Sequence, residues 1–103
     1  MNRGDVVDVD LPEIGRRPAV VITRQVAIEF LANVTVASVT SRIRGLPTEV
    51  GLDSTQGLDD DCVINCDKLF SVPKTAIGRT RGELGPAQTH QLDAALMIAL
   101  GLD

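Results

Sequence analysis

The run Gly4–Leu11 reads GDVVDVDL and sets Val7, Val9 and Leu11 against Asp8 and Asp10. An extended backbone, with side chains alternating between two faces, buries the first set and leaves the second in water. The same β-branched character returns in Pro18–Thr23 and Asn33–Ser41 (NVTVASVTS), in short form in Thr48–Leu52, and in Cys62–Leu69. Pro18–Thr23 is apolar enough to be a central strand, and proline is tolerated at a strand's first residue. In Cys62–Leu69 the period of two puts Cys62, Ile64 and Cys66 on one face. A further short strand is expected around Thr75-Ala76-Ile77.

Polar and glycine-containing segments separate these runs: Pro12–Arg17, Arg42–Pro47, Asp53–Asp61 and Arg79–Gly85. Arg24–Ala32 fits either a short helical turn or a mobile loop. The last segment is a helix. Gly85 and Pro86 suit its start, and Gly101 suits its end. Leu92, Ala95, Leu96 and Ala99 make one stripe on that helix, while His90, Ala94 and Met97 point the other way. His90 is therefore expected at the surface, away from any strand-built cleft. Several short strands followed by one amphipathic helix predict a small twisted sheet or partly closed barrel with a helix packed on it.

A chain of 103 residues with 44% hydrophobic and 23% charged residues supports one folded domain, residues 1–103. With no Trp or Tyr and only Phe30 and Phe70, the core must be aliphatic. Base stacking on aromatic platforms is nearly ruled out. The start lacks the apolar region of a signal peptide, and no segment is apolar for long enough to cross a bilayer, so a cytoplasmic protein is expected. Cys62 and Cys66 would lie about 13 Å apart along one strand, too far for a disulfide. Buried, reduced thiols are expected.

The net charge of -4 argues against a nucleic-acid partner, but the distribution matters more. Ile14–Thr48 carries Arg16, Arg17, Arg24, Arg42 and Arg44 against Glu29 alone. Glu49–Asp67 is purely acidic, and Lys68–Arg81 purely basic. One basic face on an acidic protein binds a polyanion locally.

No glycine-rich phosphate loop is present, a Ser-His-Asp set would need the misplaced His90, and Asp59-Asp60-Asp61 reads as a solvated turn rather than a metal site. What remains is Arg17, held extended before Pro18 at the mouth of a strand, and Thr40, which ends another strand beside Arg42 and Arg44. A rigid guanidinium forks onto a phosphate, and a nearby hydroxyl donates to a phosphoryl oxygen as charge builds. On physical grounds alone, a phosphate-binding rim and a merely charged rim are equally open.

In RGDVVDVDL, GRRPAVVIT, VASVTSRIRGLPTEVGL and ELGPAQTHQLDAALMIALGL, in that order over nearly the whole chain, the sequence resembles the MazF/PemK family of toxin endoribonucleases. The resemblance implies an SH3-like small barrel, mostly β with a C-terminal helix, of the CcdB/PemK-like toxin fold, working as a homodimer. It implies sequence-selective cleavage of single-stranded RNA without metal or cofactor. The 2′-hydroxyl attacks the adjacent phosphorus and leaves a 2′,3′-cyclic phosphate and a 5′-hydroxyl. A cognate antitoxin is implied as partner, its tail occupying the RNA groove.

The family's catalytic arginine and its catalytic Thr or Ser fall on Arg17 and Thr40. A guanidinium gives up its proton reluctantly, so Arg17 is assigned to charge stabilisation and Thr40 to the scissile phosphate. Where some members carry an arginine and an acid, this chain has Asn65 and Asp67. Asp67 is then a candidate acceptor of the 2′-hydroxyl proton or a surface residue, and Asn65 a candidate RNA contact. Arg16, Ser41, Arg42 and Arg44 are expected to contact RNA. A non-enzymatic, CcdB-like poison of DNA gyrase, acting through the tail around Met97, Ile98 and Leu102, is the alternative, with an inactive SH3-like binding module as a third.

Overall fold

The structure, a computed structural model, describes residues 1–103. Strands β1 (Asp5–Leu11), β2 (Gly15–Val21), β3 (Asn33–Thr40), β4 (Glu49–Leu52), β5 (Cys62–Pro73) and β6 (Ile77–Glu83) form one sheet. Their order is β4-β5-β3-β2-β1-β6, antiparallel throughout. A single helical turn, α1 (Gln25–Ile28), links β2 to β3. The long helix α2 (Pro86–Ala99) follows β6.

Alternation along the strands builds two aliphatic layers, one on each face of the curled sheet. Val6, Val20, Ala37, Val39, Ile64 and Cys66 pack beneath α2, whose Leu92 and Ala95 are buried among them. Val7, Val9, Ala19, Val21, Val34 and Val36 form the second layer, closed by Ile28 of α1. Leu96 and Ala99 pack half-buried on the first layer, and His90 is exposed as expected. The N–H of Gly85 reaches Gln88 Oε1 at 3.3 Å at the helix start, and Leu102 N–H bonds the Met97 carbonyl at 2.7 Å beyond its end, where Gly101 has φ 70°. No helix is long and apolar enough to cross a membrane.

The two edges of the sheet meet without a ladder. After β4 the chain makes a 3-10 turn, Ser54–Gln56, that lies against β6. The approach is so close that a Cβ on Gly82 would overlap the Gln56 carbonyl. A Cβ on Gly57, itself at φ 81°, would overlap the carbonyl of Arg81. Gln56 is buried, accepts the Asp53 N–H at 2.9 Å and donates to Gln88 of α2 at 3.0 Å. This seam turns the open sheet into a half-barrel and ties it to the helix.

Three expectations need correction. Arg16 and Arg17 lie within β2, not in a loop, because β2 keeps pairing with β1 out to Leu11↔Gly15. Of the expected strand around Thr75–Ile77, Thr75 and Ala76 lie in a 3-10 turn, Lys74–Ala76, and Ile77 opens β6, since β5 runs on to Pro73 along the first half of β3. The segment read as a connector, Arg79–Gly85, lies mostly in β6. Its side chains show no apolar alternation because it is an edge strand, held by backbone bonding to β1 and by Arg81 Nε on Asp8 at 2.8 Å.

Replacing Gly82 by Ala adds one methyl where the seam has no room. It is expected to destabilise the protein by about 1–3 kcal/mol, as overpacking does. Urea denaturation of the two proteins measures this.

Candidate active site

Backbone register puts the two principal candidates side by side. β2 and β3 pair through Val21↔Val36, Val20↔Ala37 and Ala19↔Ser38. Continued by two residues, the same register sets Arg17 across from Thr40. Both belong to the face of the second aliphatic layer. Toward this end of the barrel that layer gives way to polar residues, as Val21, Ala19 and Val36 are followed by Arg17, Ser38 and Thr40. Next to β3 on its other side, β5 sets Asn65 opposite Ser38.

These four side chains line a groove of about 270 Å³. Arg42 and Arg44 reach it from the loop after β3, and Lys68 from β5. None of the four cations, Arg17, Arg42, Arg44 and Lys68, has a carboxylate partner, and no carboxylate lines the groove. Close cations without counter-ions in a concave wall make a site for an anion. The Thr40 hydroxyl oxygen accepts the Arg42 N–H at 3.1 Å, which leaves its own proton free to donate. Asn65 Oδ1 accepts the Asp67 N–H at 3.0 Å, which leaves its amide N–H groups as donors.

The arginine loop is shaped by an anion of its own. Glu49 Oε1 accepts the N–H groups of Arg44, Gly45 and Leu46 at 3.0, 2.8 and 3.2 Å. One carboxylate thus organises three successive backbone donors, an anion nest, and the arginine side chains stay unpaired.

Of the eight residues expected to act on a substrate, five line the groove: Arg17, Thr40, Arg42, Arg44 and Asn65. Arg16 does not. One residue before Arg17, it lies on the opposite face, pairs with Asp10 at 3.4 Å and crowds Gly78 of β6. Ser41 lines a second, smaller cleft of about 200 Å³ on the far side of Arg17 and Thr40, walled by Asp59, Asp60 and Asp61. Asp67 lies outside the groove, where its Oδ2 accepts the Thr48 hydroxyl at 2.6 Å. Two polar groove residues escaped the sequence reading. Ser38 looked like one more strand residue, and Lys68 like surface charge.

Cys62 and Cys66 are free and buried. Burial, with the nearby Asp61, Asp53 and Asp60, raises the Cys62 thiol. Burial and then the Asp67 charge push Cys66 up to about 11. Both stay protonated at neutral pH and are poor nucleophiles.

An SH3-like half-barrel with a C-terminal helix and a cationic groove across β2, β3 and β5 defines a small toxin-type barrel of the CcdB/PemK fold. The family model described as a PemK-like, MazF-like toxin of type II toxin-antitoxin systems matches residues 2–100. Endoribonuclease MazF3 of Mycobacterium tuberculosis is 40% identical over 87 residues, 84% of each chain. Among solved structures, the M. tuberculosis toxin MazF-mt6 superimposes with a TM-score of 0.89 at 37% identity, covering 98% of this chain and 99% of that one. A mycobacterial endoribonuclease in complex with its cognate antitoxin also gives 0.89, at 28% identity, covering 100% and 97%. The chain belongs to the PemK/MazF family of type II toxin-antitoxin toxins.

The buried thiols set a stability limit at high pH. An unfolded cysteine ionises near 9.0, whereas folded Cys66 holds its proton to about 11. Between those values the unfolded state binds fewer protons, so stability falls as pH rises; below that window the Cys66 contribution is fully present. Chemical denaturation of wild type and Cys66→Ala across this range is expected to show a shallower decline in the variant.

Proposed function

We propose that this toxin is an endoribonuclease that cleaves single-stranded RNA by turning the RNA's own 2′-hydroxyl on the neighbouring phosphorus. The 2′-oxygen bonds to phosphorus, the bond from phosphorus to the 5′-oxygen breaks, and a 2′,3′-cyclic phosphate and a 5′-hydroxyl result. Water takes up the proton of the 2′-hydroxyl and returns one to the departing 5′-oxygen. The observation that carries this reading is the Arg17–Thr40 pair, held on adjacent strands in a groove lined by cations and by no carboxylate.

Arg17 forks onto the non-bridging oxygens as the phosphorane charge grows, and the free Thr40 proton donates to the same group. Because the nucleophile comes with the substrate, the step calls for no metal and no cofactor. Arg42 and Arg44 hold flanking phosphates, and Asn65 supplies amide donors. The acidic wall of Asp59–Asp61 turns the phosphates toward the basic side of the Arg17–Thr40 ridge. With no aromatic residue in the groove, bases are selected by hydrogen bonds and shape.

Relatives that carry the endoribonuclease name, and the cognate antitoxin bound to one mycobacterial neighbour, support an RNA substrate and an antitoxin partner for this chain. The antitoxin's tail blocks the groove, and the toxin acts as a cytoplasmic homodimer. Gyrase poisoning is not favoured, since the relatives are named as endoribonucleases.

Purified protein incubated with a long single-stranded RNA in EDTA is expected to yield discrete fragments with 5′-hydroxyl ends. Arg17→Ala abolishes the cleavage while the far-UV spectrum is kept. Thr40→Ala lowers kcat by about 10²–10³-fold, the effect of losing one transition-state donor. Intact RNA together with stalled gyrase would overturn the reading.

A further inference from the structure

We propose that Lys68 binds the RNA phosphate next to the scissile one, and that the Asp67–Thr48 hydrogen bond aims it. The proposal rests on the endoribonuclease reading above. Its origin is an irregularity in the ladder between β3 and β5. Ala37 pairs with Leu69, yet the next β3 residue, Ser38, pairs with Asn65. One step along β3 therefore corresponds to four along β5, and Cys66, Asp67 and Lys68 have no β3 partner. A bulge of this kind re-aims side chains that a regular strand would send to fixed faces.

Each residue of the bulge but one is tied down. Cys66 is buried, and its N–H bonds the Thr48 carbonyl at 3.0 Å. Asp67 is held twice, through its N–H to Asn65 Oδ1 at 3.0 Å and through its carboxylate to the Thr48 hydroxyl at 2.6 Å. Lys68 alone keeps an unpaired side chain, and it lines the groove. Asp67, its sequence neighbour, is the carboxylate nearest in the chain, but it is turned to Thr48 and leaves the ammonium un-neutralised.

Position decides the role. β3 lies between β2 and β5, so Arg17 and Lys68 stand on opposite sides of Ser38 and Thr40. Lys68 also sits beside the Ala37–Ser38 step, about 7 Å or more along β3 from the Arg17–Thr40 pair. That is roughly one nucleotide's span. A point charge there holds the next phosphate in line while Arg17 and Thr40 act on the scissile group. Lys68 thus contributes to substrate binding and leaves the chemical step to the other two.

The test is steady-state cleavage of a single-stranded oligoribonucleotide of mixed sequence, over a range of salt concentrations. Lys68→Ala is expected to raise KM about tenfold with kcat nearly unchanged, as for lost uniform binding. The slope of log KM against log salt should fall by about 0.7, the value for one single-strand phosphate contact. Lys68→Arg should keep both KM and slope within about twofold of wild type. Asp67→Ala, with folding checked by circular dichroism, should raise KM in the wild-type background and leave it unchanged in the Lys68→Ala background. Thr48→Val should do the same. A merely structural loss would appear in both backgrounds. An unaltered KM and salt slope in Lys68→Ala overturns the phosphate contact, and an additive Asp67 effect overturns the aiming. If the wild type cuts no RNA at all, the endoribonuclease reading fails instead, and anisotropy binding of the same oligonucleotide then decides the Lys68 contact alone.

Discussion

The pairing of β2 with β3 is the constraint on which the groove depends. Ala19 faces Ser38, and from that single register follow the Arg17–Thr40 juxtaposition and the continuity of the second aliphatic layer. A slip of one residue would turn Arg17 onto the face covered by α2 and bring Arg16 into the groove. The slip is opposed by burial, not by the polar residues themselves. Val20, Val21, Val36 and Ala37 are completely buried, two on each face, and a shift would carry Val20 and Val21 each into the layer packed around the other. The aliphatic interior thereby sets the position of a guanidinium that stands beyond its edge.

Charge is sorted by the same geometry. The chain carries an excess of acid, yet its groove carries only cations. Two carboxylates near the groove are engaged elsewhere: Glu49 on three backbone N–H groups and Asp67 on a hydroxyl. Asp8 and Asp10 take Arg81 and Arg16 on the opposite face. Of these bonds the Arg16–Asp10 pair, at an exposed site, adds little stability. Their effect is to leave Arg17, Arg42, Arg44 and Lys68 without partners.

Where one face of an element is buried and the other wet, the sequence was readable. β1 and α2 show their period plainly, and the helix ends at residues 86 and 99 follow from Pro86 and Gly101. β3 is buried on both faces and was legible from its β-branched run instead. β6 was not readable, because an edge strand paired through its backbone needs no apolar alternation. Arg17 and Thr40 stood out through their places at strand ends. The choice of Arg17 over Arg16 rests on its place before Pro18 and on the family resemblance, and the pairing of β2 with β3 supplies the phase that puts it in the groove. Ser38 and Lys68 were missed for a related reason. The place of Lys68 in the groove arises from three unpaired residues in β5, and nothing in CDKL announces that Asn65, not Lys68, will stand opposite Ser38.

Gathering four cations in one groove is costly in the free protein, since each repels the others across a concave wall with low-dielectric backing. Two features reduce that cost. The groove opens to water, which screens the charges, and the Glu49 carboxylate sits within the loop that carries Arg42 and Arg44. What repulsion remains is relieved when a polyanion enters, so part of the free energy of polyanion binding is stored in the unliganded groove. The acidic cleft behind Arg17 and Thr40 gives that relief a direction. A phosphate is favoured on one side of the ridge and repelled on the other, so a strand crossing it is drawn toward the basic wall, over the threonine hydroxyl that has its proton free.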